Sequence, residues 1–125
     1  DMMRDSTYID ATTEGVIRTM DQPAAPDPAW NGDQPDPATS YAPYRLYNIG
    51  NSEPVPLLDF INVFERKLGR EARKVLLPMQ PGDVQATYAD VEELEQAVGF
   101  RPVTGIEEGI SRFVDWYVDH YGVKL

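Results

Sequence analysis

Two short stretches of this 125-residue chain carry side chains suited to holding a polar ligand. Arg4 and Asp5 stand directly before a run of strand formers and a helix start. Met79-Gln80-Pro81-Gly82-Asp83 reads as a tight turn of type II, which needs φ > 0 at its glycine. Such a turn presents Gln80 and Asp83 toward one small volume. A glutamine amide can donate to a phosphate oxygen, and a carboxylate can accept from the paired hydroxyls of a ribose. Spacing alone leaves the plainer reading open for both: a surface arginine and an ordinary turn.

Other chemistry is weakly represented, and no catalytic residue is assigned. No glycine set makes G-x-G-x-x-G and no P-loop occurs, so no phosphate-cradling turn between strand and helix is expected. None of the seven tyrosines has a lysine four residues on, which removes the pair in which an ammonium lowers a phenol's pKa for use as a base. His120, the single histidine, falls on the polar side of the last expected helix, near an end that favours a cation. It reads as a surface residue. Glu92, Glu93 and Glu95 read as a solvated helix face, and Asp27, Asp33 and Asp36 do not follow EF-hand spacing, so no metal site is expected. Trp30 reads as a loop anchor.

Composition narrows the class. Against 11 Lys+Arg stand 21 Asp+Glu, a net charge of −10, and a field of that sign repels nucleic-acid backbones. The absence of cysteine excludes disulfides, thiolate metal sites and a Cys nucleophile. No apolar run approaches the ~18 residues of a membrane span. The first ten residues lack the basic-then-apolar pattern of a leader, so a cytoplasmic location is expected. Eight of the eleven prolines lie between Pro23 and Pro56, where neither a long helix nor a central strand can form.

The elements expected to position these residues flank that loop, taken as residues 21–43. Ser6–Ile9 reads as a strand, and Asp10 as the cap of a helix running to Met20 with Val16, Ile17 and Met20 facing inward. Tyr44–Ile49 and Lys74–Leu77 read as strands. Leu57, Ile61, Phe64 and Leu68 mark one face of a helix that has Pro56 at its first position and ends at Gly69. Asp90 and Glu93 resemble a capping box for a helix ending before Gly99, and Thr104 and Glu107 a second one for a helix ending at Gly122. That last helix puts Ile106, Ile110, Phe113, Val114, Tyr117 and Tyr121 on one side. The class is α/β, with short strands separating amphipathic helices and too thin a sheet for so many helices.

Six segments, in order, carry a resemblance: Arg4-Asp5-Ser-Thr-Tyr-Ile-Asp10, Tyr47-Asn-Ile-Gly-Asn51, Pro78-Met-Gln-Pro-Gly-Asp-Val84, Thr87-Tyr-Ala-Asp90, Gly99-Phe-Arg-Pro102 and Phe113-Val-Asp-Trp-Tyr117. Together they resemble the C-terminal part of a nucleotide-sugar epimerase of the extended short-chain dehydrogenase/reductase group, NAD-dependent epimerase/dehydratase family. The glucuronate branch is the nearest in pattern, because Gln80 stands where many UDP-sugar epimerases carry Arg before Pro-Gly-Asp. The resemblance spans essentially residues 1–125 and implies that Arg4 contacts the UDP diphosphate, Gln80 points at that diphosphate and Asp83 holds the ribose hydroxyls. Asn48 and Asn51 take a structural role. Ser6 stands where relatives usually have Phe or Tyr, and Ala11 where they often have a second Asp.

The resemblance further implies a UDP-glucuronate 4-epimerase-like isomerase of polysaccharide biosynthesis. NAD and the Tyr-x-x-x-Lys pair would belong to an N-terminal Rossmann domain absent from this chain, and the whole enzyme would be a homodimer. This chain would supply the substrate-facing wall without being catalytic alone. Two alternatives stand beside it: an epimerase or dehydratase for another nucleotide sugar, and a free-standing, non-catalytic α/β interaction module.

Overall fold

The computed structural model describes residues 2–125. A short strand, β1 (Met3–Asp5), leads into helix α1 (Ile9–Met20), and a long connection follows to β2 (Pro54–Pro56). Helices α2 (Leu57–Leu68), α3 (Glu92–Val98) and α4 (Ile106–Tyr121) complete the order. β1 and β2 pair antiparallel, with Arg4 opposite Val55 and Asp5 opposite Pro54. Both prolines of β2 sit at its ends, where a missing N–H is tolerated on an edge strand. On its other side β1 meets residues 85–87 through a parallel bridge: Met3 N donates to Gln85 O at 2.9 Å, and Thr87 N to Met3 O at 3.2 Å. β1 is thus the middle of three short segments.

The three strands expected from local composition are not strands. Residues 6–8 link β1 to α1, and Ile9 is already helical. Residues 44–49 contribute a single bridge, Thr39 to Arg45. Residues 74–77 form no regular element, with Val75, Leu76 and Leu77 at 70%, 80% and 80% exposure. β-branched and aromatic content reports fitness for a pleated surface, and a ladder forms only where a partner backbone lies alongside.

The helix ends follow a simpler rule. α2, α3 and α4 stop at Gly69, Gly99 and Gly122, with φ of 64°, 63° and 60°, where the left-handed turn costs an L residue most. The expected side-chain N-caps do not form. Tyr8, Pro56, Val91 and Gly105 occupy the N-cap positions without side-chain bonds, and Pro56 lies one residue before the helix rather than at its first position. Acids in the first turns, among them Asp10, Asp59, Glu93 and Glu107, complement the helix dipoles instead. Asp90 closes only a local turn, accepting from Glu92 N at 3.0 Å.

Packing forms two small cores. Val63, Ile110 and Val114 are buried between α2 and α4, with Phe60, Phe64 and Leu68 against them. Val91, Leu94 and Val98 are buried around α3, on which α1 packs. The inner side of α1 is Ala11 and Gly15, not Val16, Ile17 and Met20 as its periodicity predicts. Gly15 lies against Ile49. The large side chains face outward, with Ile17 at 50% and Met20 at 75% exposure. Phe113, Tyr117 and Tyr121 of α4 are likewise exposed. Tyr8 joins the two cores by lying across Gly109, with the Arg112 guanidinium 5.7 Å from its ring.

The proline-rich connection is ordered by its own side chains. Asp27, Asn31 and Asp36 each accept from the N–H two residues on, at 2.8–2.9 Å. Trp30 anchors it, as expected, donating Nε1–H to Asp36 O at 3.2 Å and packing on Tyr41. Arg45 ties its end to Glu93 of α3 at 2.7 Å. With apolar surface exposed on α1 and along 75–79, the chain is expected to self-associate. Sedimentation velocity should show a concentration-dependent coefficient, and a concentration-independent monomer would refute this.

Candidate ligand site

Arg4 and Asp83, 79 residues apart in sequence, meet at one edge of the small sheet. Arg4 Nη2 donates to the two Asp83 carboxylate oxygens at 3.2 and 3.4 Å. Arg4 Nη1 donates to Met3 O at 2.9 Å and to Gln85 O at 3.3 Å. A guanidinium has five N–H donors in a fixed fork. These contacts leave Nε–H and one Nη2–H, a pair of adjacent donors matching two oxygens of a phosphate. The side chains of Arg4 and Asp83 retain 28% and 39% exposure, so both are reachable from solvent.

The turn that presents Asp83 is the expected one. Asp83 N donates to Gln80 O at 3.1 Å, and Gly82 has φ +88° with nothing within 4 Å of the place a Cβ would take. Asp83 Oδ1 also accepts from Val84 N at 2.8 Å, which fixes the carboxylate beside the backbone. Gln80 opens the turn and is exposed. It makes no side-chain hydrogen bond among the described residues, whereas Arg4 and Asp83 already engage each other.

The stretch that leads to the turn is rooted by Glu65. Its Oε1 accepts from Lys74 Nζ at 2.5 Å and from Ala72 N at 2.6 Å. The Lys74 hydrogen bond first, then the Ala72 N–H, hold the Glu65 carboxyl below its ordinary value of 4.5. A depressed folded value means that the latch is fully stabilising above that ordinary value and is lost as pH falls through the lower, folded one. The protection of the Ala72 amide, relative to the intrinsic exchange rate at each pH, is therefore expected to fall as pH drops below 4.5, and to be low at all pH values in Glu65→Gln. Strong protection of Ala72 in that variant would contradict the latch.

The sequence marks Asp5 beside Arg4 but gives it no role of its own. Its Oδ1 accepts from Asn51 N at 3.1 Å, and its Oδ2 from Ser52 N and Ala89 N, each at 3.0 Å. Backbone donors leave no mark in a sequence. The available signal was Gly50 beside Asn51, a small residue where two segments approach closely. Asn51 is buried, in keeping with the structural role given to it, while Asn48 is exposed.

Other candidates separate from this site. His120 is exposed and stacks on Trp116, with ring centroids 5.1 Å apart. No group of three or more His, Cys, Asp or Glu among the described residues is arranged to hold a metal ion. An apolar groove of about 370 Å³ runs between the Tyr8 segment and α2 and α4, lined by Tyr8, Phe60, Phe64, Ile106 and Phe113. Ser6 lines it too, where a hydroxymethyl group fills far less space than a ring. The positive-φ glycines lie at helix C-terminal ends and in the Gln80–Asp83 turn, and Ser6-Thr7-Tyr8 between β1 and α1 has no glycine. These residues do not fit a dinucleotide cradle.

No family model matches the chain. It is 50% identical over 120 residues to Protein CapI of Staphylococcus aureus, an alignment covering 96% of this chain and 36% of that protein. It is 40% identical over 124 residues to a probable UDP-glucuronate 4-epimerase of Rhizobium meliloti, covering 96% and 36%. UDP-glucose 4-epimerase from Bifidobacterium longum, solved in complex with NAD+ and UDP, matches with a TM-score of 0.72 at 19% identity, over 96% of this chain and 31% of that one. The chain therefore spans about a third of the length of the proteins it matches. Its fold is that of the corresponding part of this UDP-glucose 4-epimerase structure. No helix among the described residues is long and apolar enough to cross a membrane.

Proposed function

We infer that this chain is the substrate-binding, C-terminal segment of an NAD-dependent nucleotide-sugar epimerase that interconverts UDP-glucuronate and UDP-galacturonate. The observation that carries the reading is the meeting of Arg4 and Asp83 from opposite parts of the chain, beside the turn that bears Gln80. In this role the free fork of Arg4 holds the diphosphate, Gln80 adds a neutral donor, and Asp83 accepts from the ribose hydroxyls. The likeness to a probable UDP-glucuronate 4-epimerase supports the choice of sugar. NAD and the proton-transfer groups then belong to the two thirds of the relatives' length that this chain does not span. The whole enzyme works as a cytoplasmic homodimer in polysaccharide biosynthesis.

The structural likeness to a UDP-glucose 4-epimerase keeps a neutral UDP-hexose as the second reading. The nucleotide contacts are common to both, so UDP tests the site before the sugar is settled. In an NMR titration of the chain with millimolar UDP, signals of Arg4, Gln80 and Asp83 are expected to move together. Unmoved signals at all three would remove the assignment. With NAD+ and UDP-glucuronate, the chain alone is expected to form no UDP-galacturonate, and measurable product would show that catalysis needs nothing further.

A further inference from the structure

We propose that Asp5 is a positioning residue for this site: a carboxylate clamp that sets the register of the 83–89 segment and so places Asp83 against Arg4. The proposal rests on the reading of Arg4 and Asp83 as ligand contacts. Two distant segments, 51–52 and 87–89, converge on Asp5. Its carboxylate takes the N–H groups of Asn51, Ser52 and Ala89, and its own N–H donates to Thr87 Oγ1 at 3.1 Å. Ser52 closes the triangle by donating its hydroxyl to Ala89 O at 2.7 Å, although its backbone is held at φ 55°. A non-glycine residue in the left-handed region is maintained only where its surroundings over-determine it.

Asp83 has no comparable anchor of its own. Among the described residues its backbone bonds within the turn to Gln80, and its carboxylate to Val84 N and Arg4. Residues 71–83 are exposed throughout. The position of Asp83 is therefore inherited from the first fixed points after it, which are Gln85 and Thr87 on Met3, Thr87 on the Asp5 N–H, and Ala89 on the Asp5 carboxylate. Arg4 lies between Met3 and Asp5 in the same strand. One residue thus holds, on either side of it, both members of the pair that the ligand meets. Hydrogen bonds to an ionised acceptor are stronger than neutral ones, and Asp5 takes three of them, so the two backbone bonds at Met3 do not substitute for the clamp.

The test is Asp5→Asn in the whole chain. Asparagine keeps one carbonyl acceptor and turns an NH₂ toward a backbone N–H, so at least one of the three bonds is lost. The Arg4 Nε–H resonance is expected to move and to exchange with water several-fold faster, with helix content by circular dichroism unchanged. UDP affinity is expected to fall about tenfold. A folded Asp5→Asn chain with an unmoved Arg4 resonance, or with parental UDP affinity, overturns the proposal. If that variant does not fold, amide exchange in the parent chain decides: the N–H groups of Asn51, Ser52 and Ala89 are expected to be protected together. Unprotected signals at these three overturn the proposal equally. If the parent chain binds no UDP, the nucleotide reading fails, and the Arg4 resonance alone still decides the positioning role.

Discussion

Arg4→Met is expected to weaken UDP binding more than about tenfold while leaving thermal stability nearly unchanged. The first half follows from the donor arithmetic. Two Arg4 donors serve Met3 O and Gln85 O, one serves Asp83, and the remaining adjacent pair faces no protein acceptor among the described residues. A charged fork of that kind is worth more to a phosphate than any neutral donor the turn supplies. In a chain of net charge −10 it also offsets a repulsive background for an anionic ligand. Lysine would restore the charge without the fork, so Arg4→Lys should recover only part of the loss. The second half follows from exposure. The Arg4–Asp83 pair is 28% and 39% accessible on its two side chains, and such pairs contribute about 0–1 kcal/mol after screening. Calorimetric titration with UDP beside a thermal melt checks both. A large loss of stability with affinity intact would mean that Arg4 serves the fold.

Gly50→Ala is expected to be the most damaging single-methyl change in the chain. A Cβ built there would lie 2.2 Å from Ala89 Cβ and 3.1 Å from Asp5 Oδ2. Neither neighbour can swing away, since one is the stub of a backbone and the other already takes two N–H groups. Overpacking of this sort costs about 1–3 kcal/mol, and separating Ala89 N–H from its carboxylate adds about 1–3 kcal/mol. For a chain of this size the melting temperature should fall roughly 10–20 °C. Gly109→Ala is the matched control. Its Cβ would meet the Tyr8 ring at 3.4 Å, an ordinary contact, so its effect should be much smaller. Equal melting temperatures for the two variants would refute the close approach at Gly50.

What could be read in advance depended on whether the determinant was local. Gly69, Gly99 and Gly122 end helices because the left-handed turn is a property of one residue, and all three are visible in sequence. The turn from Gln80 to Asp83 is equally local, with Pro81 and Gly82 defining it. The strands were not legible for the converse reason. Pro54-Val55-Pro56 has a composition that argues against a strand, yet it is one because Met3–Asp5 lies beside it. Lys74–Leu77 has the right composition and no partner backbone among the described residues. On α1 the periodicity correctly marked an apolar face, but the side that packs is the small one, Ala11 and Gly15. At the site, Arg4 and Asp83 are named by resemblance and the geometry brings the two side chains together, whereas Gln80 is placed only by its turn. Asp5 escaped because its partners are peptide groups.

The Asp5 clamp also sets a clock for synthesis. Its carboxylate emerges 84 residues before the Ala89 N–H it must bind. At about 5–20 residues per second, the Asp5 carboxylate waits on the order of 4–17 s for this last of its three donors to be made. Through that interval the strand edge and the first helix exist without the contacts that order them, which is long enough for a chaperone or a neighbouring nascent chain to find them. The ligand site therefore cannot be completed before Ala89 is made, and a ribosomal pause placed just before that residue would lengthen its vulnerability without altering a single native contact.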